Sequence, residues 1–269
     1  MKEWRLIHIE KHNAFKNMAI DEAIMTACRE GKVPPTLRFY TWDPPGLSLG
    51  YFQKYDKEVN EAMCKKFGVD IVRRPTGGRA VLHDAELTYS FVIPEVNDYL
   101  DKTIMGSYKK ISEALIRGLK HTGIDANNVH KAEQGKSLSA ACFDAPSWYE
   151  IVVEGKKLVG SAQTRNEGML LQHGSIVIDW NLDMFIELLR LKSEKTKNFL
   201  KENLMKKSTT IKNILNKDID INLLADNIKR GFEEEFEISL KVENITDYER
   251  KIAEQLTEKY ESDTWNKKR

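Results

Sequence analysis

The sequence predicts an α/β fold: a mixed, largely antiparallel sheet flanked by helices. Three observations carry that expectation. Apolar runs of strand length alternate with stretches of helical period along nearly the whole chain. Turn-forming residues, Asp43-Pro44-Pro45-Gly46 and Glu154-Gly155, stand between neighbouring strand-like runs at hairpin distance. No repeat, low-complexity tract or linker divides the 269 residues, so they read as a single domain.

Taken in order, residues 4–9 have strand character. Asn13 caps a helix reaching Gly31, with Phe15, Met18, Ala19, Ala23 and Ala27 on one side. Residues 37–42 and 47–52 read as strands around the Asp43–Gly46 turn, and Asp56 as the cap of a helix ending at Gly68. Val59, Met63 and Phe67 mark that helix's buried side. Strands follow at 69–73 and 86–93, then a helix over 103–121 with Ile104, Tyr108, Ile111, Leu115 and Leu119 in register. The polar segment 125–139 is long for a buried connection, and such loops often carry function. A strand over 169–178, interrupted at His173-Gly174, precedes helices near 182–191, 194–204 and 223–232. A strand at 236–242 and a helix at 246–260 close the chain.

Composition narrows the function. Lys plus Arg (42) nearly equals Asp plus Glu (41), so no overall field draws nucleic acid. No apolar run approaches the ~20 residues that span a bilayer. The first residues carry no signal-peptide core, and a cytoplasmic protein is expected. Three cysteines (Cys28, Cys64 and Cys142) are too few and too scattered for a disulfide framework, and none has metal-ligand spacing. Cys28 and Cys64 fall on helical faces and read as packing. No exposed apolar stripe suggests an oligomer, so a monomer is expected.

Two stretches carry chemistry. Cys142 lies in a polar, turn-prone segment just before an apolar run, and Lys157 opens the next run beyond Glu154-Gly155. Antiparallel pairing across that turn brings Lys157 back beside the start of the first strand, near the thiol. A positive charge there raises the thiolate fraction that a nucleophile needs. A lone buried cysteine and a solvated lysine are the plainer alternative. The second stretch is Arg73-Arg74-Pro75-Thr76-Gly77-Gly78-Arg79-Ala80-Val81-Leu82-His83. Its glycine pair allows close backbone approach to a ligand, and its arginines can donate to phosphate or carboxylate. It matches neither a Walker A loop nor a dinucleotide fingerprint, and a glycine hairpin with solvated arginines is the alternative. Local spacing gives no support to a cysteine–histidine hydrolase with His83 or His173 as base.

The motif at 73–83, Glu-Leu-Thr-Tyr-Ser at 86–90, Gly-Lys-Lys-Leu-Val-Gly-Ser-Ala-Gln at 155–163 and Gln-His-Gly-Ser-Ile at 172–176 together resemble the lipoate–protein ligase/octanoyltransferase superfamily. That superfamily is related in fold to the biotin protein ligases. Ala-Cys-Phe-Asp-Ala-Pro-Ser-Trp-Tyr-Glu at 141–150 is similar to its LipM-type octanoyltransferases. The resemblance implies the biotin/lipoate ligase catalytic fold, with a core over about 33–245 that the C-terminal helix completes. It also implies transfer of octanoyl from acyl carrier protein to a lysine of a lipoyl-accepting protein, typically the glycine cleavage H protein. The acyl group would pass through a thioester on Cys142, with Lys157 lowering the thiol's pKa and no cofactor needed. Arg73, Arg74, Thr76, Gly77, Gly78, Arg79, Ala80 and His83, with Gly160, Ser161, Ala162, His173 and Gly174, match walls of the acyl and carrier-arm pocket. An ATP-dependent lipoate–protein ligase and an amidotransferase between lipoyl domains share several of these motifs and are the alternatives.

Overall fold

The computed structural model describes residues 2–129 and 150–269. Cys142 and much of the 125–139 segment lie outside the described residues. Among those described, an eight-stranded sheet runs in the order β11-β1-β2-β6-β10-β9-β8-β7. Its members are β1 (Lys2–His12), β2 (Thr36–Trp42), β6 (Glu86–Pro94), β7 (Asn127–Val129), β8 (Glu150–Val153), β9 (Lys156–Asn166), β10 (Met169–Val177) and β11 (Ile238–Val242). β1 pairs in parallel with β2 and β11, and every other neighbour is antiparallel. The sheet is therefore mixed and largely antiparallel, as the sequence predicts.

Both faces of the sheet are covered. α4 (Ile104–His121) and α8 (Ile221–Phe236) pack on one side, burying Ile111, Leu115, Ile228 and Phe232 against Leu37, Tyr89 and Phe91. α1 (Ala14–Arg29) and α9 (Asp247–Glu261) cover the other, with Met18, Ile24 and Tyr260 against Tyr40, Val92 and Leu171. Asn13 caps α1 as expected, its side chain accepting from the Lys16 N–H at 2.9 Å.

A smaller three-stranded sheet joins β3 (Gly46–Leu49), β4 (Asp70–Arg73) and β5 (Val81–His83), with β3 central. Here the structure differs from the hairpin expected around Asp43–Gly46. β2 is already bonded on both edges, by β1 and β6, so β3 pairs elsewhere. The helix expected over 56–68 is also two pieces, α2 (Tyr55–Glu58) and α3 (Glu61–Phe67). Val59 between them is extended, and Asn60 rather than Asp56 provides a side-chain cap. That break turns Phe67 outward and Cys64 inward. Ile104, at the exposed start of α4, likewise lies outside the core.

Strand β10 runs unbroken through His173-Gly174, paired with β6 on one side and β9 on the other. Gly174 makes this possible. A β-carbon there would lie 2.6 Å from Ser161 Oγ and 2.7 Å from Tyr89 Cε1. Only a bare backbone passes between those two neighbours.

Candidate active site

A small cavity opens between β10 and β9 of the large sheet and the loop that leads from β4 to β5. Its walls include Met18, Trp42, Val81, Gly160, Ala162 and Gly174, which leave a narrow, mostly apolar interior. Ser48, Arg74, His83, Ser161 and His173 add polar groups at its edges. Among the expected wall residues, Arg74, Gly78, His83, Gly160, Ser161, Ala162, His173 and Gly174 therefore meet around one space.

The remaining loop residues have other placements. Arg73 is fully buried, and its guanidinium donates to the carbonyls of Gly50, Tyr51, Gln53 and Asn266 at 2.7–3.1 Å. It anchors the C-terminal residues against β4. Ala80 packs into the core beneath the small sheet. Gly77 faces a neighbouring groove, and Arg79, half-buried, lies near Glu58. Thr76 is buried and holds His173, Oγ1 to Nε2, at 2.6 Å.

Arg74 shapes the loop from inside. It donates to the carbonyls of Ser48, Gly77 and Arg79 and to the Ser48 hydroxyl. Gly78 takes a φ of +92°, a left-handed conformation that glycine adopts without strain, and its carbonyl lies so close to Gly50 that a β-carbon there would sit 2.0 Å away.

Beneath the cavity runs a buried polar network that the sequence reading missed. Asp21 accepts from Arg38 at 2.8 Å, Tyr40 at 3.0 Å and Ser90 at 2.8 Å, with His173 Nδ1 at 3.6 Å. Burial opposes the Asp21 charge, but His173, the Arg38 guanidinium and Ser90 outweigh it, and the carboxyl is held below its usual range. Burial depresses the His173 pKa, with Asp21 pulling the other way, so its imidazole is neutral near pH 7. A neutral ring facing an acceptor carboxylate carries its proton on Nδ1, which leaves Nε2 to accept from Thr76. These residues are far apart in sequence, and apolar periodicity gives no sign of them.

On the other side of β10, Tyr89, Ser161, Gln172 and Gln163 form a chain of hydrogen bonds. Burial pushes the Tyr89 phenol up to about 12, so it serves there as a neutral hydroxyl.

Lys157 lies on β9, the strand that supplies Gly160, Ser161 and Ala162. It is 3% exposed, and its Nζ stands 3.2 Å from Glu150 Oε1 at the head of β8. The β8–β9 hairpin, with Val152 opposite Lys157, therefore brings the ammonium back to the start of the first strand, as the turn at Glu154-Gly155 predicts. Cys142, upstream of that start, lies outside the described residues. Glu150 is the carboxylate partner that sequence spacing did not single out. Burial pushes the other two thiols up, Cys28 to about 11 and Cys64 to about 12, which suits packing and not nucleophilic work. Among the described residues, no three histidine, cysteine or acidic side chains gather as a metal site, and no helix is long and apolar enough to cross a membrane.

The lipoyl protein ligase A/B catalytic-domain model matches residues 13–233. The "Octanoyltransferase LipM" of Clostridioides difficile is 45% identical over 271 residues, covering all of both chains. The protein of that name from Kyrpidia tusciae is 45% identical over 99% of each. Among solved structures, a bipartite lipoate–protein ligase of Thermoplasma acidophilum superposes with a TM-score of 0.82 at 27% identity, over 99% of this chain and 97% of that one. A lipoate–protein ligase A bound with ATP gives 0.78 at 28% identity, over 98% of each. The chain belongs to the lipoyl protein ligase A/B catalytic-domain family, among its LipM-type octanoyltransferases, and is an acyltransferase.

Proposed function

We propose that this acyltransferase takes octanoyl from acyl carrier protein, carries it as a thioester on Cys142, and passes it to a lysine of a lipoyl-domain protein, the glycine cleavage H protein first among them. One observation carries the reading: Lys157 is a buried ammonium at the head of the strand into which the Cys142 segment leads. A cation there favours the thiolate over the thiol. Glu150 keeps the lysine aimed at that spot.

In the first half-reaction, the Cys142 sulfur attacks the thioester carbonyl carbon and the carrier thiol departs. In the second, the acceptor amine attacks the Cys142 thioester, an amide forms, and the cysteine sulfur leaves. Thioester to thioester to amide runs downhill, so ATP is not required. Two protein partners then use one site in turn, with ping-pong kinetics. The narrow apolar cavity suits an unbranched chain, and burying eight carbons at ~0.8 kcal/mol per methylene contributes several kcal/mol to binding. Full-length identity of 45% to octanoyltransferases, against 27–28% to the ligases, favours transfer over adenylation.

Intact-protein mass spectrometry tests this directly. Mixed with octanoyl-acyl carrier protein and no ATP, the wild type should gain one octanoyl group, and Cys142→Ala should gain none. An apo lipoyl-domain protein should then discharge the adduct. Acceptor modification only when free octanoate or lipoate is supplied together with ATP would instead identify a ligase.

A further inference from the structure

Ser48 and His83 stand in the cavity wall, with Glu86 behind His83. Ser48 Oγ lies 2.8 Å from His83 Nε2, and His83 Nδ1 lies 2.9 Å from Glu86 Oε1. The three come from β3, the end of β5 and the start of β6, and all are more than nine-tenths buried. An ionised carboxylate can only accept, so the shared proton sits on Nδ1 and Nε2 faces the serine hydroxyl as acceptor. This is the order of nucleophile, base and orienting carboxylate found in serine acyl-transfer triads.

The surroundings fix the line. Trp42 stacks on His83 with ring centroids 4.0 Å apart and planes 11° from parallel. Its indole N–H donates to Thr88 Oγ1 at 2.8 Å, and that hydroxyl donates to Glu86 Oε1. Arg74 Nη1 donates to Ser48 Oγ at 3.1 Å. The same guanidinium donates to the Ser48 carbonyl, which fixes the serine on its strand. Ser48, Arg74, His83 and Thr88 all line the cavity proposed for the acyl chain.

We infer that Ser48, His83 and Glu86 form a second acyl-transfer centre, a serine thioesterase that hydrolyses straight-chain acyl thioesters without Cys142. The substrate class rests on the octanoyl-thioester reading; the triad geometry does not. Ser48 Oγ attacks the thioester carbonyl carbon while its proton passes to His83 Nε2. The C–S bond breaks, and the departing thiol takes that proton. Water then attacks the Ser48 ester and gives its proton to His83. The C–O bond breaks, Ser48 Oγ recovers the proton, and the fatty acid leaves. The net change is thioester plus water to acid plus thiol.

The test uses full-length Cys142→Ala, so that no adduct can be a cysteine adduct. An octyl phosphonofluoridate, which phosphonylates activated serines, should give one adduct that peptide mass spectrometry locates at Ser48. The adduct should be absent from Cys142→Ala/Ser48→Ala and form at least about 100-fold more slowly in Cys142→Ala/His83→Asn. Thiol release from an octanoyl thioester should fall in parallel. Absence of label at Ser48 in folded Cys142→Ala, or hydrolysis unchanged by Ser48→Ala, overturns the inference. If His83→Asn fails to fold, the Ser48 label on Cys142→Ala still decides. Failure of wild-type Cys142 to take octanoyl from carrier protein counts against the transferase reading and leaves the Ser48 result standing.

Discussion

Arg73 and Lys157 are both buried cations, yet their surroundings give them different work. Arg73, wholly buried, faces backbone carbonyls drawn from residues 50–53 and from Asn266 near the chain's end. The planar fork of an arginine suits such a cage, because its several donors point in fixed directions. Lys157, 3% exposed, meets a carboxylate on the neighbouring strand, at the start of β8, the strand that follows the Cys142 segment in sequence. In the proposed mechanism, a compact ammonium on a flexible stem shifts toward the Cys142 thiolate. Charge and burial alone thus do not tell the two cations apart; what each charge faces does.

The comparison yields predictions that can break it. The largest effect should come from Lys157→Met, with acyl transfer to Cys142 reduced about 10²–10⁴-fold in single-turnover mass spectrometry. A loss this large should appear while the protein still melts cooperatively. If Lys157→Met instead unfolds the chain, the two cations are alike and the distinction fails.

Arg73→Ala should act the other way. Stripping donors from several buried carbonyls should lower unfolding free energy by about 3 kcal/mol or more, read by urea denaturation. Protein folded at low temperature should keep the chemistry of its Cys142. Gly174→Ala comes next, because its new β-carbon would crowd Ser161 Oγ, the Gly160 carbonyl and Tyr89 within 2.7 Å. Overpacking of this kind costs about 1–3 kcal/mol and should weaken octanoyl binding more than turnover of the bound complex.

The smallest effect concerns pH. His173 is depressed in the folded state below its ordinary value of 6.5, chiefly by burial. Unfolding then releases an imidazole that binds protons more readily, so its contribution to stability is present above pH 6.5 and lost as pH falls through that value toward the folded pKa. Asp21, depressed below its ordinary 3.8, keeps its contribution until the solution is acidified below that value. Urea midpoints at about pH 7.5 and about pH 5.5 should fall for wild type and fall less for His173→Gln. An equal fall in both would remove His173 as the cause.

Much of this molecule was readable before any coordinates. The period of apolar residues located α1, α4 and α8, and Asn13 marked a helix start because its side chain can satisfy one of the first free backbone N–H groups. Glu154-Gly155 announced the β8–β9 hairpin, which alone determines that Lys157 returns to the head of β8. Other features depended on partners distant in the chain. β3 abandons β2 because β1 and β6 already occupy both its edges, which turn chemistry cannot reveal. Arg73 and Arg74 are neighbours in one motif, yet one cages the C-terminus and the other lines the cavity. Asp21, Arg38, Ser48 and Glu86 enter the site only through folding, since buried polar groups are chosen by hydrogen-bond partners far away in sequence. Local sequence determines elements and tight turns because short-range sterics and capping act within a few residues. Which buried charge faces which partner was decided by the tertiary structure, where strands and helices from the whole chain converge.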